Sequence, residues 1–284
     1  MEARGWIMLR VLMNRYNPQT GNALLKLLPA EDLKAVMSQD IRSTDLTPLM
    51  LQPQKILTNM HYSWLKPLID QFPSNLHPLF LGALTPVQSL YLQKKMEIKS
   101  TSLSEPVKNF ILHQVYALLK DPQPLPIEYL PETELSPLAK WSKKDLVMLI
   151  DFLGLYDLAP EIRSIVNKRY LENIYSCLSS KQLYYLKICL YQKDKLVIPK
   201  LGINPAEKNC ERLKSLLHQR GLIRLGKALC GQHPDLMWYV THTLDIGRGT
   251  ILARYYQAQM LTNITTILKL QVVNVMNFIK KSKL

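Results

Sequence analysis

The sequence predicts an all-α protein of short stacked helices, arranged as armadillo-like helical repeats in two lobes. Three observations carry that expectation. Leu is abundant and recurs at spacings of three and four, the period of a helix face. Gly is scarce, with 10 in 284 residues, which disfavours a β fold built on many tight turns. A helix start signal also recurs. Thr85-Pro86-Val87-Gln88, Ser142-Lys143-Lys144-Asp145, Ser179-Ser180-Lys181-Gln182 and Asn204-Pro205-Ala206-Glu207 each place an acid or amide three residues past a capping side chain. The cap oxygen accepts a hydrogen bond from an orphan N–H of the first turn. Gln88 and Glu207 can bond back to the cap's own N–H, and Asp145 is a shorter version of the same device. Pro at the first helical position loses nothing, because that N–H has no intrahelical partner. The 18 prolines therefore punctuate helices rather than argue against them.

Residues 1–97 read as an N-terminal helical lobe. Helices are expected over 6–15, from Asn17-Pro18 to about Lys26, and over 29–39, where Leu33, Val36 and Met37 line one face. The pattern returns over 64–72, 75–83 and 85–96. Trp6 precedes Pro29 by 23 residues and Trp64 precedes Pro86 by 22, which suggests an internal repeat of about 57 residues with three helices per unit; chance similarity of helix starts is the competing explanation. Residues 98–137 read as a linker. A polar break at 98–105 leads to one helix over 106–120, striped by Ile111, Val115 and Leu118. Prolines at 122, 124, 126, 131 and 137 then favour extended backbone.

Residues 138–284 read as a second, basic helical domain. Helices are expected over 143–153, stopped by Gly154, then over 160–178 and 179–191. One over 205–219 should stop at Gly221, with a short helix near 223–229 and a break at 231–234. A helix over 235–244 follows. Gly247-Arg248-Gly249 reads as a turn or a close backbone approach. The chain closes on a long helix over 251–281, with an interruption near 262–266. No window offers about 18 uninterrupted apolar residues, so no membrane span is expected. The start of the chain is too short in apolar run and too charged for a signal peptide.

Charge divides the chain. Residues 1–134 carry 13 Lys and Arg against 12 Asp and Glu, a net of +1; residues 135–284 carry 23 against 10, a net of +13. A basic half suits nucleic acid, anionic lipid or an acidic protein, or is a merely solvated surface. Cys177, Cys189, Cys210 and Cys230 lie among apolar helical residues and show no disulfide framework, so buried thiols in a reducing cytosol are expected.

Catalytic signatures are lacking. Gly226-Lys227 has neither the upstream Gly nor the following Ser/Thr of a phosphate loop, and no nucleophile elbow surrounds any Ser. The expectation is a non-enzymatic chain without cofactor. Cys210, His218, Cys230 and His233 fall close together, but seven residues separate the first pair, too many for a zinc knuckle. Core thiols are the expected reading, with no metal. The basic stretch 204–229 reads as helix, Gly turn, helix. It would suit a helix-turn-helix reader, a face for an acidic helix, or a plain hairpin with solvated cations. Tyr184-Tyr185, Tyr191, Trp238-Tyr239 and Tyr255-Tyr256 would suit either an interface or core packing. Leu268, Val272, Val275, Met276 and Ile279 share one side of the terminal helix, which ends in Lys280, Lys281 and Lys283 and would pack on the domain or dock in a partner groove or on a membrane surface. The candidate partner-binding residues are Arg212, Arg220, Arg224 and Lys227, with Trp238 and Tyr239 as anchors.

Leu28-Pro29-Ala30-Glu31-Asp32-Leu33, Leu84-Thr85-Pro86-Val87-Gln88 and Leu178-Ser179-Ser180-Lys181-Gln182-Leu183 resemble the helix starts of armadillo-type repeats in the flagellar motor switch family FliG. The helical, basic make-up also resembles the SctK class of type III secretion sorting-platform proteins. The resemblance spans about two-thirds of the chain. FliG's Glu-His-Pro-Gln signature belongs mid-chain; the nearest match, Gln232-His233-Pro234-Asp235, lies towards the C-terminus, and no role is carried onto it. The resemblance implies a cytoplasmic ring or platform adaptor, peripheral to the inner membrane through its complex. A non-enzymatic scaffold for acidic protein partners is therefore the expected function. A nucleic-acid-binding protein using the same basic domain is the alternative.

Overall fold

Helix starts form where side chains can satisfy the orphan N–H groups, and two of the recurring signals behave as full capping boxes. Thr85 Oγ1 accepts from the Gln88 N–H and Gln88 Oε1 accepts from the Thr85 N–H. Ser179 and Gln182 make the same reciprocal pair. Ser142 caps the N–H of Asp145. The computed structural model describes residues 3–16, 25–38, 52–119, 124–191, 200–202, 208–259 and 262–281. Among them the chain is all-α, with fourteen α-helices and no strand. The Asn204–Glu207 signal and most of the helix expected from Asn17 lie outside the described residues. The chain divides into two compact units, Met1–Ser136 and Pro137–Leu284.

The first unit carries α1 (Ala3–Tyr16), α2 (Ala30–Met37), α3 (Gln52–Asn59), α4 (Tyr62–Ile69), α5 (His77–Ala83), α6 (Pro86–Met96) and α7 (Glu105–Ala117). Trp6, Leu25 and Val36 form one apolar cluster, closed by Leu9, Met13 and Leu33. Arg10 ties its two helices by donating to the carbonyls of Val36 and Met37 at the end of α2. Gln88 acts at both ends of its amide. Besides capping α6, its Nε2 donates to the carbonyls of Leu57 and Met60, which the end of α3 leaves unpaired. The segment expected as a linker is packed instead. Its helix α7 lies on α3 and α5, burying Ile111 and Val115. Its polar stretch crosses α5 so closely that a Cβ on Gly82 would sit 2.0 Å from the Thr101 carbonyl oxygen. The helix α3 has no counterpart among the expected elements. The expected 57-residue repeat would equate α1 with α4, which have 14 and 8 residues.

The second unit carries α8 (Lys143–Ser164), α9 (Lys168–Tyr175), α10 (Ser180–Tyr191), α11 (Cys210–Ala228), α12 (Pro234–Thr243), α13 (Ile246–Tyr255) and α14 (Thr262–Lys281). The central element is α8, against which α10, α11 and α14 all pack. It is buried along most of its length, with Leu146, Leu149, Ile150 and every residue from Phe152 to Ala159 enclosed, while Asp151 reaches the surface.

Two glycines expected to end helices lie inside them. Gly154 sits within α8 and Gly221 within α11. A Cβ on Gly154 would lie 2.2 Å from the Leu217 carbonyl oxygen, and one on Gly221 would lie 1.8 Å from that of Ile150. Each glycine thus faces a large residue four positions from the other glycine, and the two backbones cross in contact. The same logic removes the Gly turn expected within 204–229. From Cys210 to Ala228 the chain is one helix, with Asn209 as its cap.

The remaining boundaries shift for local reasons. The helix expected over 160–178 breaks at Ile165, because Asn167 caps a fresh start by accepting from the Arg169 N–H. Gly247-Arg248-Gly249 is the first turn of α13 rather than a loop, since Asp245 caps it. The interruption expected near 262–266 in the helix over 251–281 falls earlier, since α13 ends at Tyr255 and α14 starts at Thr262. The cysteine expectation is also corrected. Cys177 and Cys210 form a disulfide joining the end of α9 to the start of α11, while Cys189 and Cys230 are buried free thiols.

Candidate interaction surface

Interior charge in the second unit is concentrated at one tie. Asp157 on α8 is buried, and its Oδ1 accepts from Arg224 Nε of α11 at 2.9 Å. A second guanidinium nitrogen of Arg224 donates to the same oxygen. The third donates to Gln271 Oε1 of α14, so one side chain links three helices. Arg220 stands 3.9 Å from the other carboxylate oxygen. The Arg224 guanidinium also lies over the Tyr156 ring, 5.5 Å from its centre. Burial pushes the Tyr156 hydroxyl up to about 12, and it stays neutral in its 2.9 Å hydrogen bond with Tyr185, whose hydroxyl burial also raises. This arrangement organises the core of the second unit.

A second network reaches the surface. His218 Nδ1 and Asp151 Oδ1 are 2.6 Å apart. On the other side of the ring, Arg248 Nε donates to His218 Nε2 at 2.8 Å. Nε2 therefore accepts, and Nδ1 carries the proton that Asp151 receives as a hydrogen bond. Arg248 also binds Asp245, which Lys143 approaches at 3.6 Å. Burial works against the Asp245 charge, but Arg248 and then Lys143 outweigh it and hold the carboxyl below its ordinary value. Both ring nitrogens of His218 are thus engaged by side chains of neighbouring helices.

The six candidate residues do not form one patch. Arg224 is 5% exposed and Tyr239 is 4% exposed, so both belong to the core. Trp238 is half-buried and stacks on His242 at 4.0 Å. Arg220 donates to the Lys200 carbonyl as well as facing Asp157. Arg212 is exposed at the start of α11 and Lys227 half-buried at its end, about 22 Å apart along the axis. The spacing that suggested a basic face is the spacing by which α11 ties itself to α8. The residues considered for metal binding are placed elsewhere too. Cys210 is in the disulfide, His218 is in the network above, and His233 caps α12 by accepting from the Asp235 N–H at 3.2 Å.

A different surface brings cations and aromatics together. Phe278 of α14 stacks on Tyr184 of α10 at 6.0 Å and meets Tyr185 at 4.7 Å. Phe152 of α8 contacts Tyr185 and Phe278 from beneath. Tyr184 is 62% exposed and Tyr191 is 90% exposed on α10, and Leu270 is 60% exposed on α14. Lys187 on α10 and Lys280 and Lys281 on α14 are exposed. Neither helix contains an Asp or Glu. That absence is readable in the sequence, but the pairing of two helices 70 residues apart is not.

No helix among the described residues is long and apolar enough to cross a membrane. No protein-family model, curated protein or solved structure matches the chain.

Proposed function

We propose that the chain is a non-enzymatic scaffold or adaptor that holds acidic protein partners through its cationic C-terminal unit. One observation carries this reading. Nearly all of the excess positive charge, a net of +13, lies after residue 134, while the preceding part is nearly neutral at +1. Such a field steers association with an acidic surface and raises the encounter rate. The neutral first unit would supply apolar contacts to like subunits or a scaffold; α6 turns Val87, Leu90 and Tyr91 outward on one stripe. The resemblance of the helix starts to FliG and SctK suggests a setting, a bacterial type III secretion sorting platform.

Affinity purification from the native cell tests the proposal. The expected result is a stable complex with acidic proteins that dissociates as salt is raised. Tight binding to duplex DNA, falling steeply with salt, would overturn it in favour of nucleic-acid binding. That alternative loses its helix-turn-helix basis because α11 is continuous and Arg224 is buried.

A further inference from the structure

We infer that the docking surface for the acidic partner is the joint face of α10 and α14, and that its occupant is an acidic amphipathic helix. The inference rests on the adaptor reading and names the place and chemistry of its contact. Three features converge there. First, α10 carries Lys181 and Lys187 and α14 carries Lys269, Lys280 and Lys281, with no carboxylate on either helix. A surface with one sign of charge over two adjacent helices selects the opposite sign. Second, the cations border apolar surface that the described residues leave uncovered. Tyr184 and Tyr191 lie seven residues apart on one stripe of α10, and Leu270, Phe278 and Lys281 share a flank of α14 by their spacing. Third, Phe278 against Tyr184 and Tyr185 closes the seam between the helices, with Phe152 of α8 beneath. The face is thus backed by packed core.

The chemistry favours a peptide over other anions. Neither helix has an Arg, whose planar fork suits phosphate and base edges; Lys is a point charge that a carboxylate can meet from any side. Tyr184 already spends one ring face on Phe278, which reduces its use for stacking a base. The exposed positions of α14 interleave Asn263, Thr266 and Asn277 with Ile264 and Leu270, so no continuous apolar face meets a bilayer. A helix bearing Leu-type anchors towards Tyr184 and Leu270, and Glu or Asp towards Lys187 and Lys281, fits both features.

The test uses the full chain and a fluorescein-labelled helical peptide with Glu on one face and Leu on the other, read by anisotropy. Lys187→Glu with Lys281→Glu, and separately Tyr184→Ala, should each weaken binding at least about tenfold. Circular dichroism should show nearly unchanged melting for Lys187→Glu with Lys281→Glu, whose side chains are exposed, and a small drop for Tyr184→Ala, which also gives up its ring contact with Phe278. Arg212→Glu with Lys214→Glu on α11 should change binding less than about twofold. If the α11 variant weakens binding and the α10/α14 variants do not, the face is wrong and the adaptor reading stands. If a single-stranded oligonucleotide or phosphatidylserine vesicles bind more tightly than the peptide, both the inference and the adaptor reading fall. If the peptide does not bind at all, the inference falls, and the complex purified from cells decides the adaptor reading separately.

Discussion

At the scale of single residues, Gly221 decides more than any charged side chain. Replacing a helical Gly with Ala in an open position gains up to about 1 kcal/mol from backbone entropy. Here the added Cβ would fall 1.8 Å from the Ile150 carbonyl oxygen, and a backbone atom cannot move aside as a side-chain tip does. Gly221→Ala should therefore destabilise the protein by about 3 kcal/mol or more, measured by urea denaturation. Gly247→Ala is the matched control. Its Cβ would meet only Asp245 Oδ1 at 3.5 Å, so it should be neutral or slightly stabilising. His242 makes the second residue-scale prediction. Burial lowers its imidazole to about 4, against the pull of the hydrogen bond it donates to the Trp238 carbonyl. The unfolded chain binds this proton from about pH 6.5 downward and the folded chain does not. Its contribution is fully present above pH 6.5 and is lost as pH falls towards 4, roughly 3 kcal/mol across that window. His242→Gln should flatten the pH dependence of thermal stability there. Asp245, held low by Arg248 and Lys143, loses its contribution in the same direction but in more acidic solution.

At the scale of elements, local chemistry was legible in the sequence and long-range chemistry was not. The starts of α6, α8 and α10 follow from Thr85, Ser142 and Ser179, because a cap acts within one turn of itself. The glycines misled because the same residue that ends a helix also lets two helices touch, and only the partner backbone tells which. Gly154 and Gly221 were expected as stops and serve as contacts. Arg224 was expected on a surface because its spacing matches other cations; its neutraliser, Asp157, is 67 residues away. The short α3 has only Ile56 and Leu57 as apolar residues, and no Ser, Thr, Asp or Asn stands directly before Pro53 to cap its start, so neither periodicity nor a cap signal announces it. The Cys177–Cys210 bond was likewise invisible, since the fold alone brings two cysteines 33 residues apart into register. It closes a loop that contains α10. Reduction should lower stability by about 2–4 kcal/mol, seen as a drop in melting temperature on adding dithiothreitol. Cys177→Ser with Cys210→Ser should melt at the reduced value regardless of reductant.

At the scale of the whole molecule, each unit encloses its own core, and the net charge belongs almost entirely to the second. A fragment covering Pro137–Leu284 should therefore fold alone and melt cooperatively, and it should bind a cation-exchange column as strongly as the full chain does. A fragment covering Met1–Ser136 should pass through the same column. The crossing of α8 and α11 has a mechanical corollary. With carbonyl oxygens lodged against bare α-carbons, neither rod can slide along or roll over the other without prising the backbones apart. Any rearrangement that accompanies recognition must be taken up by the outlying coils swinging about a hub that itself stays fixed.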